Sequence, residues 1–255
     1  MNFTMSQLPD RTSSPRQSGL TMVMDKGLSL RQTEDFIEGA APYTDLVKLG
    51  FGSALVTPQL KEKIKLYQDA NIPVYFGGTL CEAYIIRDEF KNYIKLVEKF
   101  GLTHAEISDG SITIPHEEKC KYIKELSKVC IVISEVGSKE EGILIRPAMW
   151  IQMMERELEA GVWKVIAEAR ESGTVGIYRP NGKAHVTLIN KITNRIPHEK
   201  IIWEAPAKSQ QVYFIKLFGA NVNLGNIAPN EVIALESLRL GLRSDTFFQF
   251  IEAES

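Results

Sequence analysis

The strongest constraint on this chain is a rhythm. From Leu20 to the C-terminus a short β-like run gives way to glycine or polar residues, then to an amphipathic helical stretch, eight times over. The β-like runs are Leu20–Met24, Leu46–Leu49, Pro73–Phe76, His104–Ser108, Val129–Glu135, Lys164–Glu168, Ile201–Glu204 and Asn221–Leu224. Helix candidates between them include Leu60–Ala70, Glu82–Phe100, Glu117–Lys128, Ala148–Ala160 and Gln210–Phe218. Strands that alternate with helices pair in parallel, because each helical crossover covers a face of the sheet. Eight units in about 235 residues average roughly 29 each, the size expected of a (β/α)8 barrel. The competing doubly wound sheet often carries GxGxxG after its first strand, and Met24-Asp-Lys-Gly-Leu28 lacks it. The expectation is therefore an α/β protein with a single-domain (β/α)8 TIM barrel over residues 19–255. Residues 1–18 are expected to form a polar, mobile lead-in.

Local signals agree. Ser29-Leu-Arg-Gln32 and Thr79-Leu-Cys-Glu82 have the form of capping boxes, in which a hydroxyl and an amide or carboxylate satisfy free amides at a helix start. Thr57-Pro58 and Thr113-Ile-Pro115 place proline where a first helical turn can use it.

Composition excludes partners. The 255 residues are 44% hydrophobic and 24% charged, with a formal net charge of −2, which fits a globule and not a disordered chain. Nucleic-acid and anionic-membrane binding need a basic face, so neither is expected. Cys81, Cys120 and Cys130 are scattered, without CxxC spacing, as in thiols of a reducing cytoplasm. No run reaches ~18 apolar residues, so no transmembrane helix is expected. Arg11 and Arg16 are too few to mark a targeting peptide.

In such a barrel, chemistry gathers at the C-terminal ends of the strands. Those ends are polar here: Asp25-Lys26-Gly27, Lys48, Gly77-Gly78-Thr79, Glu106 with Ser108-Asp109-Gly110, Glu135-Val-Gly-Ser-Lys139, Glu168-Ala-Arg170-Glu171-Ser172-Gly173, Glu204-Ala-Pro206 and Asn223-Leu-Gly225-Asn226. Period-2 alternation puts Glu106 with Ser108, Glu135 with Ile131 and Ile133, and Glu168 with Ile166 and Arg170. A carboxylate ending an apolar strand is costly to bury unless it is paired or holds a cation. Several of them among lysines and an arginine suggest a hard divalent cation, Mg2+, beside an anionic ligand; ion pairs around the barrel rim are the plainer alternative. Asn223-Leu-Gly225-Asn226 and Glu171-Ser-Gly173 stand where barrels often bind phosphate, although tight turns also need glycine. Glu82 reads as a capping partner, Lys164 as a stabilising residue at the barrel floor, and Trp150 and Trp163 as packing residues. His104, His116, His185 and His198 have no metal-site spacing.

These same residues carry a resemblance. Gly19–Leu28, Val47–Gly52, Gly77–Leu80, Glu106–Gly110, Glu135–Gly137, Ala169–Gly173, Glu204–Pro206, Lys208–Gln211 and Val222–Ile227, continuing through Leu235-Glu236 to Thr246, resemble the phosphosulfolactate synthase family, which includes plant heat-stress-associated relatives. The resemblance implies a (β/α)8 barrel that adds sulfite to phosphoenolpyruvate with Mg2+, giving (2R)-phosphosulfolactate. In archaea this sulfonate biosynthesis opens the route to coenzyme M. Attack at C3 pushes charge onto the carboxylate, where Mg2+ and cations stabilise it before an acid protonates C2. On this resemblance Lys139 is the acid, with Lys48 and Lys26 as alternatives or charge stabilisers. Glu106, Glu135 and Glu168 hold Mg2+, with Asp25 and Glu204 in reserve. Arg170, Ser172, Gly173, Asn223, Gly225 and Asn226 line the phosphate site. A cytoplasmic homo-oligomer with small-molecule substrates is implied. One departure stands out: relatives often carry two lysines after Glu-Val-Gly, and here Ser138 precedes Lys139. The alternatives are a barrel relative without turnover, and an enzyme adding another nucleophile, or using a Schiff-base lysine, on a phosphorylated small acid.

Overall fold

Alternate residues of each strand go to two separate cores, and this division organises the molecule. A computed structural model describes residues 3–137, 146–169, 174 and 176–251. The strands are β1 (Thr21–Asp25), β2 (Leu46–Leu49), β3 (Val74–Phe76), β4 (His104–Ile107), β5 (Ile131–Val136), β6 (Lys164–Ala167), β7 (Ile201–Glu204) and β8 (Leu224–Ile227). All pairings are parallel, in the order β3-β2-β1-β8-β7-β6-β5-β4. β3 and β4, at the two ends of that order, lie against each other and close a (β/α)8 barrel without a backbone ladder between them.

One set of side chains fills the barrel: Leu20, Met22, Leu46, Tyr75, Ile133, Ile166 and Ile202. The opposite set, including Val23, Val47, Phe76, Ile107, Val165 and Trp203, packs outward under the helices. These are α1 (Leu30–Ala40), α2 (Leu60–Asp69), α3 (Gly78–Ile85), α4 (Phe90–Lys99), α5 (His116–Leu126), α6 (Pro147–Glu159), α7 (Val186–Thr193), α8 (Lys208–Phe218) and α9 (Val232–Arg239). No helix among the described residues is long and apolar enough to cross a membrane.

Three local expectations are corrected. The single helix expected over Glu82–Phe100 is two, α3 and α4, because Asp88 turns left-handed at φ 56° between them. The Ser29 capping box forms, with Ser29 Oγ accepting from Gln32 N at 3.2 Å and Gln32 Oε1 from Ser29 N at 2.9 Å. The Thr79 box does not form: α3 begins two residues earlier than that box requires, with Gly77 as its N-cap. The eighth strand runs three residues later than expected, Leu224–Ile227 in place of Asn221–Leu224.

The barrel floor is pinned by buried polar groups. Arg239 donates to the carbonyls of Ala220, Val222 and Leu20. The lead-in joins this floor. Arg11 pairs with Glu236 at 2.9 Å and Arg16 with Asp45 at 3.0 Å, while Lys164 Nζ donates to Gln17 O at 2.7 Å.

Candidate active site

At the opposite end of the barrel, inward-facing positions of four strands converge on one ammonium. Lys48 (β2) has Nζ 3.0 Å from Glu106 Oε1 (β4), 3.2 Å from Glu135 Oε2 (β5) and 3.6 Å from Glu204 Oε1 (β7). All four are almost fully buried, as is Glu168 just beyond β6. Three of these glutamates cap inward-facing apolar columns: Ile133 lies below Glu135, Ile166 below Glu168 and Ile202 below Glu204. The columns carry the charges up to the mouth.

Backbone groups complete the setting. Gly78 N, in the first turn of α3, donates to Glu106 Oε1 at 2.7 Å, and Ala169 N donates to Glu204 Oε2 at 2.7 Å. The helix start thus faces a carboxylate, the favourable sense of its dipole. Gly78 has to be glycine, since a Cβ there would lie 2.7 Å from Glu106 Oε1 and collide with Ser108. Gly137, at φ 154°, allows the same close approach to Glu168, whose Oε2 would lie 2.9 Å from an added Cβ. Ser108 Oγ donates to Glu82, so this glutamate is a buried member of the site's wall and not a capping partner. Tyr75 fills the barrel below, its hydroxyl 2.7 Å from Met22 Sδ.

The electrostatics follow from burial. Loss of water disfavours the Lys48 ammonium, but Glu106, Glu135 and Glu204 outweigh it and hold its pKa well above the ordinary value. Burial raises Glu106, with Lys48 opposing and Glu135 adding to the rise. Burial and then repulsion from Glu135 push Glu204 up to about 8. Three acids facing one ammonium leave the cluster short of positive charge. Glu106 Oε2 and Glu204 Oε1 accept no hydrogen bond. Such a site can take a hard cation, a proton or a cationic face of substrate. Among the described residues, however, no three Asp, Glu, His or Cys side chains are arranged to enclose a metal ion unaided.

The expected residues distribute as follows. Lys48, Glu106 and Glu135 meet, with Glu204 a full member of the group; Glu168 is buried at the same end. Lys26 lies exposed in the loop after β1. Lys139, Arg170, Ser172 and Gly173 lie outside the described residues. Asp25 does not converge. It faces outward, where Oδ2 is 2.6 Å from Lys63 Nζ and 2.9 Å from the Tyr67 hydroxyl, while Oδ1 accepts from Gly27 N and Leu28 N. Its valences are filled by α2 and its own loop, which removes it from the metal set. Asn223 is at the wrong end: Oδ1 accepts from Leu20 N, and Nδ2 donates to the Glu199 and Ile201 carbonyls at the floor. Gly225 and Asn226 belong to β8 and not to a loop above it. Gly225 sits opposite Glu204 in register, close against Met22 and Ile202. Asn226, at φ 56°, makes the bulge by which β8 shifts register against β1, and its buried Oδ1 accepts no hydrogen bond. No sequence signal marked Tyr75 or Glu82 for this region beyond the inward phase of β3 and a misplaced capping motif.

Comparison with known proteins agrees with this architecture. The solved structure of 3-hexulose-6-phosphate synthase from Salmonella typhimurium superposes with a TM-score of 0.56 over 88% of this chain and 100% of that one, at 12% identity, and so shares the fold. Phosphosulfolactate synthase of Bacillus subtilis is 41% identical over 251 residues, 97% of this chain and 100% of the relative. The enzyme of that name from Methanothermobacter thermautotrophicus is 41% identical over 244 residues, 93% and 95% of the two chains. A family model described as (2R)-phospho-3-sulfolactate synthase (ComA) matches residues 9–245, which span all eight strands and the carboxylate cluster at their ends. This chain belongs to the phosphosulfolactate synthase family and is an enzyme of that family.

Proposed function

We propose that the protein adds sulfite to phosphoenolpyruvate, giving (2R)-phosphosulfolactate, with Mg2+ as cofactor. The observation that carries this reading is the convergence of Glu106, Glu135 and Glu204 on Lys48 at the catalytic end of the barrel. The donor set fits Mg2+. It consists of carboxylate oxygens, and Glu106 Oε2 is buried without a hydrogen bond. Glu106, Glu135 and Glu168 would hold the ion. Since no protein cage is preformed, substrate and water oxygens complete its shell, as is usual for Mg2+. When bound, the ion supplies Lewis-acid stabilisation of charge developing on the substrate carboxylate.

The chain's own groups do the rest. The Lys48 ammonium, held charged by its neighbours, faces the same carboxylate and is already oriented, so it needs no reorganisation as charge grows. Lys139, two residues past Gly137, delivers the proton to C2. Arg170, Ser172 and Gly173 receive the phosphate. No covalent adduct with the protein is needed, so borohydride in the presence of substrate is expected to trap nothing.

The test is incubation of pure protein with phosphoenolpyruvate, sulfite and Mg2+, following sulfite consumption. Turnover is expected, and its absence overturns the reading. Lys139→Ala should abolish turnover while leaving the unfolding midpoint unchanged. Mg2+ should bind weakly to the free enzyme and about tenfold or more tightly once phosphoenolpyruvate is present, as shared ligands require; calorimetric titration with and without substrate checks this.

A further inference from the structure

Behind the carboxylates of β4 and β5, on the outer side of the sheet, lies a second buried charge cluster. Its centre is Lys119 on α5, which is 1% exposed. The three hydrogens of its ammonium are all engaged: with Asp109 Oδ1 at 2.8 Å, with Glu157 Oε1 of α6 at 2.9 Å, and with the main-chain oxygen of Glu135 at 2.7 Å. His116 Nε2 lies 3.0 Å from the same Glu157 oxygen. Burial disfavours the charged lysine, but Glu157 and Asp109 hold it charged. Glu157 in turn stays ionised, since Lys119 overcomes the burial that would neutralise it.

A buried ion pair is a poor device for stability alone, because apolar residues of similar volume commonly serve as well or better. Apolar packing cannot, however, grip two strand ends at once. Asp109 lies three residues beyond Glu106. The other contact is the carbonyl of Glu135 itself, whose side chain is 3.2 Å from Lys48. Both site carboxylates are therefore tied, through backbone of one to three residues, to a single ammonium outside the barrel.

We propose that Lys119 is a positioning residue for the reaction. By holding the ends of β4 and β5 together it sets how Glu106 and Glu135 are placed about Lys48, and where the chain toward Lys139 departs. The inference rests on the reading of that cluster as the reaction site. It implies that the Lys119 cluster sustains turnover out of proportion to its contribution to folding.

The test uses the double variant Lys119→Met/Glu157→Met, which removes both deep charges together. Asp109 and His116 are each partly exposed, so water satisfies these two once the deep charges are gone. The unfolding midpoint is expected near that of the wild type, while kcat falls about 10–100-fold, the usual cost of losing a supporting shell. KM for phosphoenolpyruvate should stay within about twofold, since the loss falls on the transition state. Amide hydrogen exchange at Val136 and Gly137 should accelerate while the floor of the barrel is unchanged. A folded double variant with wild-type kcat and unaltered exchange overturns the proposal. If the double variant does not fold, Asp109→Ala decides: it cuts the grip on β4 from the exposed side, and unchanged turnover and exchange there overturn the proposal equally. Should the wild type consume no sulfite, the proposed reaction fails separately, and the exchange measurement still judges Lys119.

Discussion

Asp25 and Glu106 are both carboxylates at the ends of apolar strands, yet one closes a structural ion pair with Lys63 and the other faces the barrel mouth. The difference is phase. Met22 of β1 points inward, so Asp25, an odd number of positions away, points out; Glu106 shares its face with the inward His104. Alternation makes this legible for Glu106, Glu135 and Glu168, and the same rule applied to β1 places Asp25 outside. Asn223 was illegible for another reason. Its strand begins one residue after it, and amide side chains serve floor and mouth equally well. His104 provides a residue-scale prediction. Burial lowers its pKa from 6.5 to about 4. Between these values the unfolded chain binds a proton that the folded chain does not, so stability is full above 6.5 and is lost as the pH falls toward 4. His104→Gln should remove that dependence, worth up to about 3 kcal/mol, in urea titrations at the two ends of the window.

At the scale of elements, α3 concentrates what a sequence does and does not disclose. Gly77-Gly78-Thr79 was visible as a polar strand end, but its use was not, because the Gly78 amide bonds a side chain 28 residues away. The Thr79 and Glu82 spacing imitated a capping box, and tertiary contact with Ser108 took Glu82 for the wall of the site. Propensity alone favours alanine over glycine in a helix by about 1 kcal/mol. Gly78→Ala is expected to go the other way. The new methyl displaces Glu106 and Ser108, and turnover should fall about 100-fold, the scale of an ångström's misplacement in a catalytic group. Helix content by circular dichroism should be unchanged, which separates loss of placement from loss of fold.

For the whole molecule, the eight-fold rhythm sufficed for the architecture, because parallel strands with helical crossovers leave few ways to bury two faces. The lead-in is polar, and composition alone does not show which partners it meets. Arg11 reaches Glu236, Asn221 and the Ala220 carbonyl at the floor. Arg11→Ala should lower stability by about 2 kcal/mol, since it strands buried acceptors, yet leave kcat unchanged, because the floor is the far end from the carboxylates. Chemical unfolding and steady-state rates together check this. The seam between β3 and β4 has a consequence of its own. No ladder joins these strands, but Gly78 reaches Glu106 and Glu82 reaches Ser108 from one edge to the other. The hoop is fastened by members of the site. A descendant that had ceased to turn over would therefore still be held to Gly78 and Glu106 by the need to stay shut. Their survival in any relative testifies to closure first, and only residues with no part in the fastening can testify to chemistry.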